Sequence, residues 1–135
     1  MSDTHERSRP LILVADDEAD ISELVRIHLE KLDCEVMIAA TGADAIALAR
    51  TRVPQLAVLD VLMPKGNGYE VAHAIKEMDA SVPVMILTAT IDDENTAEQY
   101  GVRVDAFLRK PVSGAELRGA VTELLGPRLA AKGDV

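Results

Sequence analysis

Residues 56–64 read LAVLDVLMP, an aliphatic run in which one carboxylate, Asp60, stands between LAVL and Pro64. A carboxylate withdrawn from water is costly unless something pairs with it. Either the run ends at Asp60 and the side chain looks outward, or Asp60 has a partner elsewhere in the chain. LAVL is continuously apolar, which suits a strand covered on both faces. Asp60 then sits at the carboxyl end of that strand.

Four further runs of strand length flank this one: LILVA (11–15), VMIAA (36–40), VPVMIL (82–87) and VDAFL (104–108). Between them the apolar residues fall at helical spacing. Ile21, Leu24, Val25, Leu29 and Leu32 mark one helix face, and Ala45, Ile46, Leu48 and Ala49 a second, behind Thr41 as N-cap. Val71, Ile75 and Met78 follow Asn67, another N-cap, and SGAE (113–116) is a capping box ahead of Leu117, Val121, Leu124 and Leu125. IDDENTAEQYG (91–101) lacks an apolar stripe and predicts a marginal fourth helix. Strand and helix alternate five times, so the expectation is one α/β domain with a doubly wound parallel sheet.

Such sheets carry their functional crevice outside the carboxyl ends of the strands. Asp16, Asp17 and Glu18 follow the first run, Asp60 the third, Thr88 the fourth, and Lys110 with Pro111 the fifth. An acidic pair ahead of a helix is commonly dipole compensation, and a lone Thr or Lys at a strand end commonly does nothing. Three carboxylates, a hydroxyl and an ammonium gathered at one sheet edge are a different matter.

Composition narrows the class. The chain has 135 residues, 48% of them hydrophobic, with one Phe, two Tyr and no Trp, so aliphatic side chains must fill the core. A net charge of −9 argues against binding a nucleic-acid backbone by this chain alone. The single cysteine, Cys34, suits a reducing compartment, no apolar run approaches membrane-spanning length, and MSDTHERSRP has no signal-peptide core. A cytoplasmic domain is expected, without membrane insertion. His5, His28 and His73 lack partners at metal-ligand spacing, and Met63 reads as packing under the proline turn.

ADDE (15–18), LDVLMP (59–64), LTA (87–89) and FLRKP (107–111), in this order and spacing, resemble the receiver domain of bacterial two-component response regulators over residues 10 to about 125. The resemblance implies a flavodoxin-like sheet of order 2-1-3-4-5; the polar segment 1–9 ahead of it is expected to be flexible, and the tail 126–135, with Pro127 and Gly133, to fray. It implies that Asp60 accepts a phosphoryl group from a histidine kinase or histidine phosphotransfer protein. Asp16, Asp17, Asp60 and the backbone carbonyl of Leu62 would hold Mg²⁺, and Lys110 and Thr88 would engage the phosphoryl oxygens. Thr88 and Phe107 would act as the switch, a cis bond would precede Pro111, and the face of the fourth helix, fifth strand and fifth helix would meet a downstream protein. Charge supports the metal: carboxylates near 4 Å repel by about 4 kcal/mol per pair at an effective dielectric of 20. A divalent cation and one ammonium together neutralise three carboxylates.

Two departures from the family pattern stand out. Asp33 occupies a helix-ending position where glycine is usual, and Gly101 comes two residues early, which blurs the end of the fourth helix. An aspartate-nucleophile phosphohydrolase of the haloacid dehalogenase type is the alternative from another class. It wants Asp-x-Asp, and Leu62 fills the second place. A degenerate receiver serving only as a docking module is disfavoured because every acceptor-site residue is present. Few residues follow the fifth helix, so the reading is a stand-alone regulator, with a receiver cut from a longer regulator as the other possibility.

Overall fold

In the computed structural model, which describes residues 9–133, each aliphatic run supplies a strand. Among the described residues the order is β1 (Leu11–Ala15), α1 (Ala19–Glu30), β2 (Glu35–Ala39), α2 (Gly42–Thr51), β3 (Leu56–Leu59), α3 (Gly68–Met78), β4 (Val84–Thr88), α4 (Glu94–Gln99), β5 (Ala106–Arg109) and α5 (Gly114–Gly133). All pairings are parallel and the sheet order is β2-β1-β3-β4-β5. His5 and all but Arg9 of the segment expected to be flexible, 1–9, lie outside the described residues.

The continuous apolar runs are explained by two cores. Leu13, Ala15, Ala57, Leu59, Val84 and Ile86 face one side, against Ala45 and Ala49 of α2 and Val71, Ala72 and Ile75 of α3. The alternate residues Ile12, Val14, Leu56, Val58, Met85 and Leu87 face the other, against Val25 and Leu29 of α1 and Leu117, Val121 and Leu125 of α5. Period-two alternation sends successive side chains to opposite layers, so both must be apolar. Cys34 is buried in the second core, and Met63 packs at the edge of the first.

The helix starts follow the sequence signals. The Thr41 side chain accepts from Asp44 N–H at 3.0 Å. Asn67 and Glu70 form a reciprocal capping box at 3.0 Å each way, and Ser113 and Glu116 do the same at 3.0 and 3.2 Å. Asp33 takes φ 62°, the left-handed conformation that a short polar side chain tolerates in place of glycine. Gly101 takes φ 68° and ends α4, which has only six residues.

Two expectations need correction. Leu24, on the predicted apolar face of α1, is 46% exposed; Ser22 takes a buried place instead, its hydroxyl donating to the Asp16 carbonyl at 3.1 Å. The fifth helix runs past Gly126 and Pro127 to Gly133, beyond the face read as far as Leu125. Proline removes one backbone donor, and the LAAK run behind it is rich in strong helix formers.

Candidate functional site

Each strand-end residue is placed by a backbone bond to the next strand. Asp16 N–H donates to Ala39 C=O at 3.0 Å, Asp60 N–H to Ala15 C=O at 2.9 Å, and Lys110 N–H to Thr88 C=O at 2.9 Å. The ladder thus continues one residue past the strands and brings their next side chains to one edge, where β1 and β3 diverge in connection. Behind Asp60 the chain turns back on itself: Gly68 N–H donates to Val61 C=O at 3.1 Å. A Cβ on Gly68 would stand 2.3 Å from the Asp60 carbonyl oxygen, so only glycine fits this approach.

Asp16, Asp17 and Asp60 each offer a carboxylate oxygen, and these lie within 4.8 Å of one another. Asp16 and Asp60 are 4% and 6% exposed, whereas Asp17 is open to solvent. Lys110 Nζ reaches all but Asp17, lying 2.7 Å from Asp16 Oδ2, 2.9 Å from Glu18 Oε1 and 3.1 Å from Asp60 Oδ2. Burial pushes the Asp16 carboxyl above the usual range, against the pull of Lys110 and of the Glu18 N–H, which donates to Asp16 Oδ1 at 2.9 Å. Burial works against the Lys110 charge too, but hydrogen bonds to Asp16, Glu18 and Asp60 outweigh it and hold the ammonium protonated well beyond the ordinary lysine range. One cation among close carboxylates leaves negative charge in excess, and an all-oxygen donor set of this kind can hold a metal ion.

The remaining predicted residues lie on β4, on β5 and in the loop after β3. Thr88 is 3% exposed and its hydroxyl lies 3.0 Å from that of Thr90. Phe107 is half-buried against the α2–α3 core. Leu62 turns its side chain outward, 64% exposed, and the Lys110–Pro111 peptide is cis. Sequence reasoning gave Glu18 no role. It also missed a chain of polar contacts from Thr90 through Asp92 to Tyr69, which is buried at 1% exposure. The i, i+3 spacing of Tyr69, Ala72 and Ile75 marks Tyr69 as core-facing, but nothing local pairs it with Asp92. His28 proves to be an interhelical contact, its Nδ1 2.7 Å from Arg118 Nη1. His73 lies 3.9 Å from Glu77 on its own helix.

A doubly wound sheet of this order, with an acidic crevice and one half-buried lysine at its switch point, defines a class of α/β domains. The chain belongs to the response regulator receiver domain family, whose model matches residues 12–122. It is similar to the alkaline phosphatase synthesis transcriptional regulatory protein PhoP of Bacillus subtilis, 33% identical over 84% of this chain and 48% of that protein. The DNA-binding dual master transcriptional regulator RpaA of Synechocystis is 35% identical over 86% of this chain and 49% of its own length. The chain therefore spans about half the length of the curated relatives it matches. Among solved structures it resembles the BeF3-activated DrrB receiver domain, with a TM-score of 0.76 and 31% identity over 87% of this chain and 98% of that one. A CheY-like receiver domain protein of Methanospirillum hungatei gives a TM-score of 0.81 and 25% identity over 91% and 98%. No helix among the described residues is long and apolar enough to cross a membrane.

Proposed function

We propose that Asp60 accepts a phosphoryl group from a phosphohistidine on a histidine kinase or histidine phosphotransfer protein. One carboxylate oxygen of Asp60 forms the P–O bond while the P–N bond breaks and its electron pair leaves with the imidazole nitrogen. The observation that carries this reading is the pairing of the nearly buried Asp60 with Lys110 at 3.1 Å, inside a cluster whose other carboxylates lie within 4.8 Å. Phosphoryl transfer asks for alignment and charge neutralisation, which such a cluster supplies.

Asp16, Asp17, Asp60 and the Leu62 carbonyl would hold Mg²⁺, which would supply positive charge to offset that of the phosphoryl oxygens. Lys110 is already protonated and would exchange a carboxylate partner for a phosphoryl oxygen. Thr88 would donate to another, and Phe107 would turn inward behind it. The altered surface is α4-β5-α5, and its short fourth helix is the kind of low-stability element from which moving parts are drawn. The domain is a cytoplasmic signalling acceptor rather than an enzyme with a separate substrate. Relatives described as transcriptional regulators support an output on gene expression, reached through a partner protein or a further domain of a longer chain. Direct phosphate-backbone contact by these residues is disfavoured by their charge of −9.

The test is labelling by acetyl phosphate. Wild type should label in Mg²⁺ and not in chelator, and Asp60→Asn should not label at all. Equal labelling of Asp60→Asn would overturn the acceptor assignment.

A further inference from the structure

The hydroxyl proton of Thr88 is committed in a direction that the contacts behind it determine. The Thr90 hydroxyl donates to Asp92 Oδ1, and the Tyr69 hydroxyl donates to Asp92 Oδ2 at 2.6 Å. A carboxylate only accepts, so both hydroxyls must spend their one proton on Asp92. Thr90 then has no proton left for Thr88, and the 3.0 Å contact between the two threonines requires Thr88 to donate and Thr90 to accept. The Thr90 N–H, 3.3 Å from Thr88 Oγ1, adds a second link in the same place. The chain runs Thr88 to Thr90 to Asp92, and Tyr69 anchors its far end. Tyr69 is 1% exposed, and burial, with the Asp92 carboxylate beside it, pushes the phenol up and keeps it a donor. Its ring stacks on Tyr100 at the end of α4, centroids 4.6 Å apart and planes 10° from parallel.

We infer that Tyr69, through Asp92 and Thr90, is a positioning residue that holds the Thr88 donor away from the acceptor and biases the domain against its phosphoryl-bound arrangement. This rests on the acceptor reading above, in which Thr88 donates to a phosphoryl oxygen. That donation must break the Thr88–Thr90 bond and leave Thr90 as an acceptor without a donor. Whatever keeps Thr90 pointed at Asp92 therefore opposes phosphoryl capture. Loss of the Tyr69 hydroxyl frees Asp92 to turn toward solvent and loosens Thr90, while the ring and its stack on Tyr100 stay in place.

The test titrates the whole chain with beryllofluoride, a phosphoryl analogue, in saturating Mg²⁺ by calorimetry. Tyr69→Phe should bind beryllofluoride about two- to tenfold tighter than wild type, the range of one net hydrogen bond. Its affinity for Mg²⁺ alone should not change, because the metal alone does not recruit the Thr88 hydroxyl. Thr90→Val should show the same gain, and adding Tyr69→Phe to it should give nothing further. A purely structural tyrosine would lower the melting temperature and leave beryllofluoride binding equal or weaker. That result in Tyr69→Phe, or in Thr90→Val if the tyrosine variant does not fold, overturns the inference. Failure of the wild type to bind beryllofluoride, with Mg²⁺ bound normally, overturns the acceptor reading and the inference with it.

Discussion

Leu62, two residues past Asp60, presents an apolar side chain at 64% exposure on the rim of the cluster, and Ile91 stands 85% exposed on the loop after β4. Hydrolysis of an acyl phosphate needs a water in line behind the phosphorus, and Leu62 offers it bulk but no hydrogen bond. Thr90 cannot orient that water with its proton, which Asp92 holds. Leu62→Asn should therefore lose phosphate faster than wild type, by up to about tenfold for one oriented hydrogen bond. Phosphate release over time measures this, and unchanged decay would remove Leu62 from control of water access. Asp16 carries a second prediction. Its carboxyl titrates above the usual value of 3.8 because it is buried. The folded protein then binds more protons than the unfolded chain between those values, so this group favours the metal-free fold as pH falls through that window. Metal binding moves the other way, since a protonated Asp16 loses its ligand charge. Calorimetric titration should find Mg²⁺ affinity declining at a higher pH than an ordinary aspartate would set, and Asp16→Asn should flatten that part of the profile.

Glycine at position 68 decides how closely α3 returns to the end of β3. An alanine Cβ there would meet the Asp60 carbonyl oxygen at 2.3 Å, and that atom is backbone and cannot swing aside. Gly68→Ala should destabilise the fold by about 1–3 kcal/mol, the ordinary range for overpacking, and should weaken Mg²⁺ binding by moving Asp60. Denaturant unfolding and metal titration check the two effects together; an intact fold with unchanged affinity would show that the loop absorbs the methyl group. Elements of this kind were legible where one local signal decides them. LAVL and LILVA are continuous apolar runs that suit strands covered on both faces, and Asn67 ahead of Val71, Ile75 and Met78 marks a helix start. Leu24 was misread because helical spacing fixes a face but not its width, and Ser22 took a place near Asp16 through a hydroxyl contact that no period reveals. The Tyr69–Asp92 contact joins residues 23 apart in sequence across two loops, and only the fold brings them together.

At the scale of the whole molecule, parallel pairing sets four strand ends side by side and so converts scattered residues into one crevice. That is why Asp16, Asp17, Asp60 and Lys110 could be named together from sequence, since the rule for strand ends needs only the order of elements. It could not say that Glu18 shares Lys110, a contact that depends on how α1 leaves β1. Burial of the Asp16 carboxylate works against the metal-free fold, and a ligand that binds only the folded state stabilises it by about 2.7 kcal/mol at a hundredfold excess over its Kd. Mg²⁺ should accordingly raise the melting temperature of the wild type and do so far less for Asp17→Asn; equal shifts in both would exclude Asp17 from the metal site. In the proposed transfer the carboxylate closing LAVL, Asp60, is the acceptor. Borohydride reduction after acetyl phosphate treatment, followed by peptide mapping, tests it most directly, because an aspartyl phosphate is reduced to homoserine. Mg²⁺-dependent homoserine is expected at position 60, and homoserine at 16 or 17 with aspartate intact at 60 would place the acceptor elsewhere.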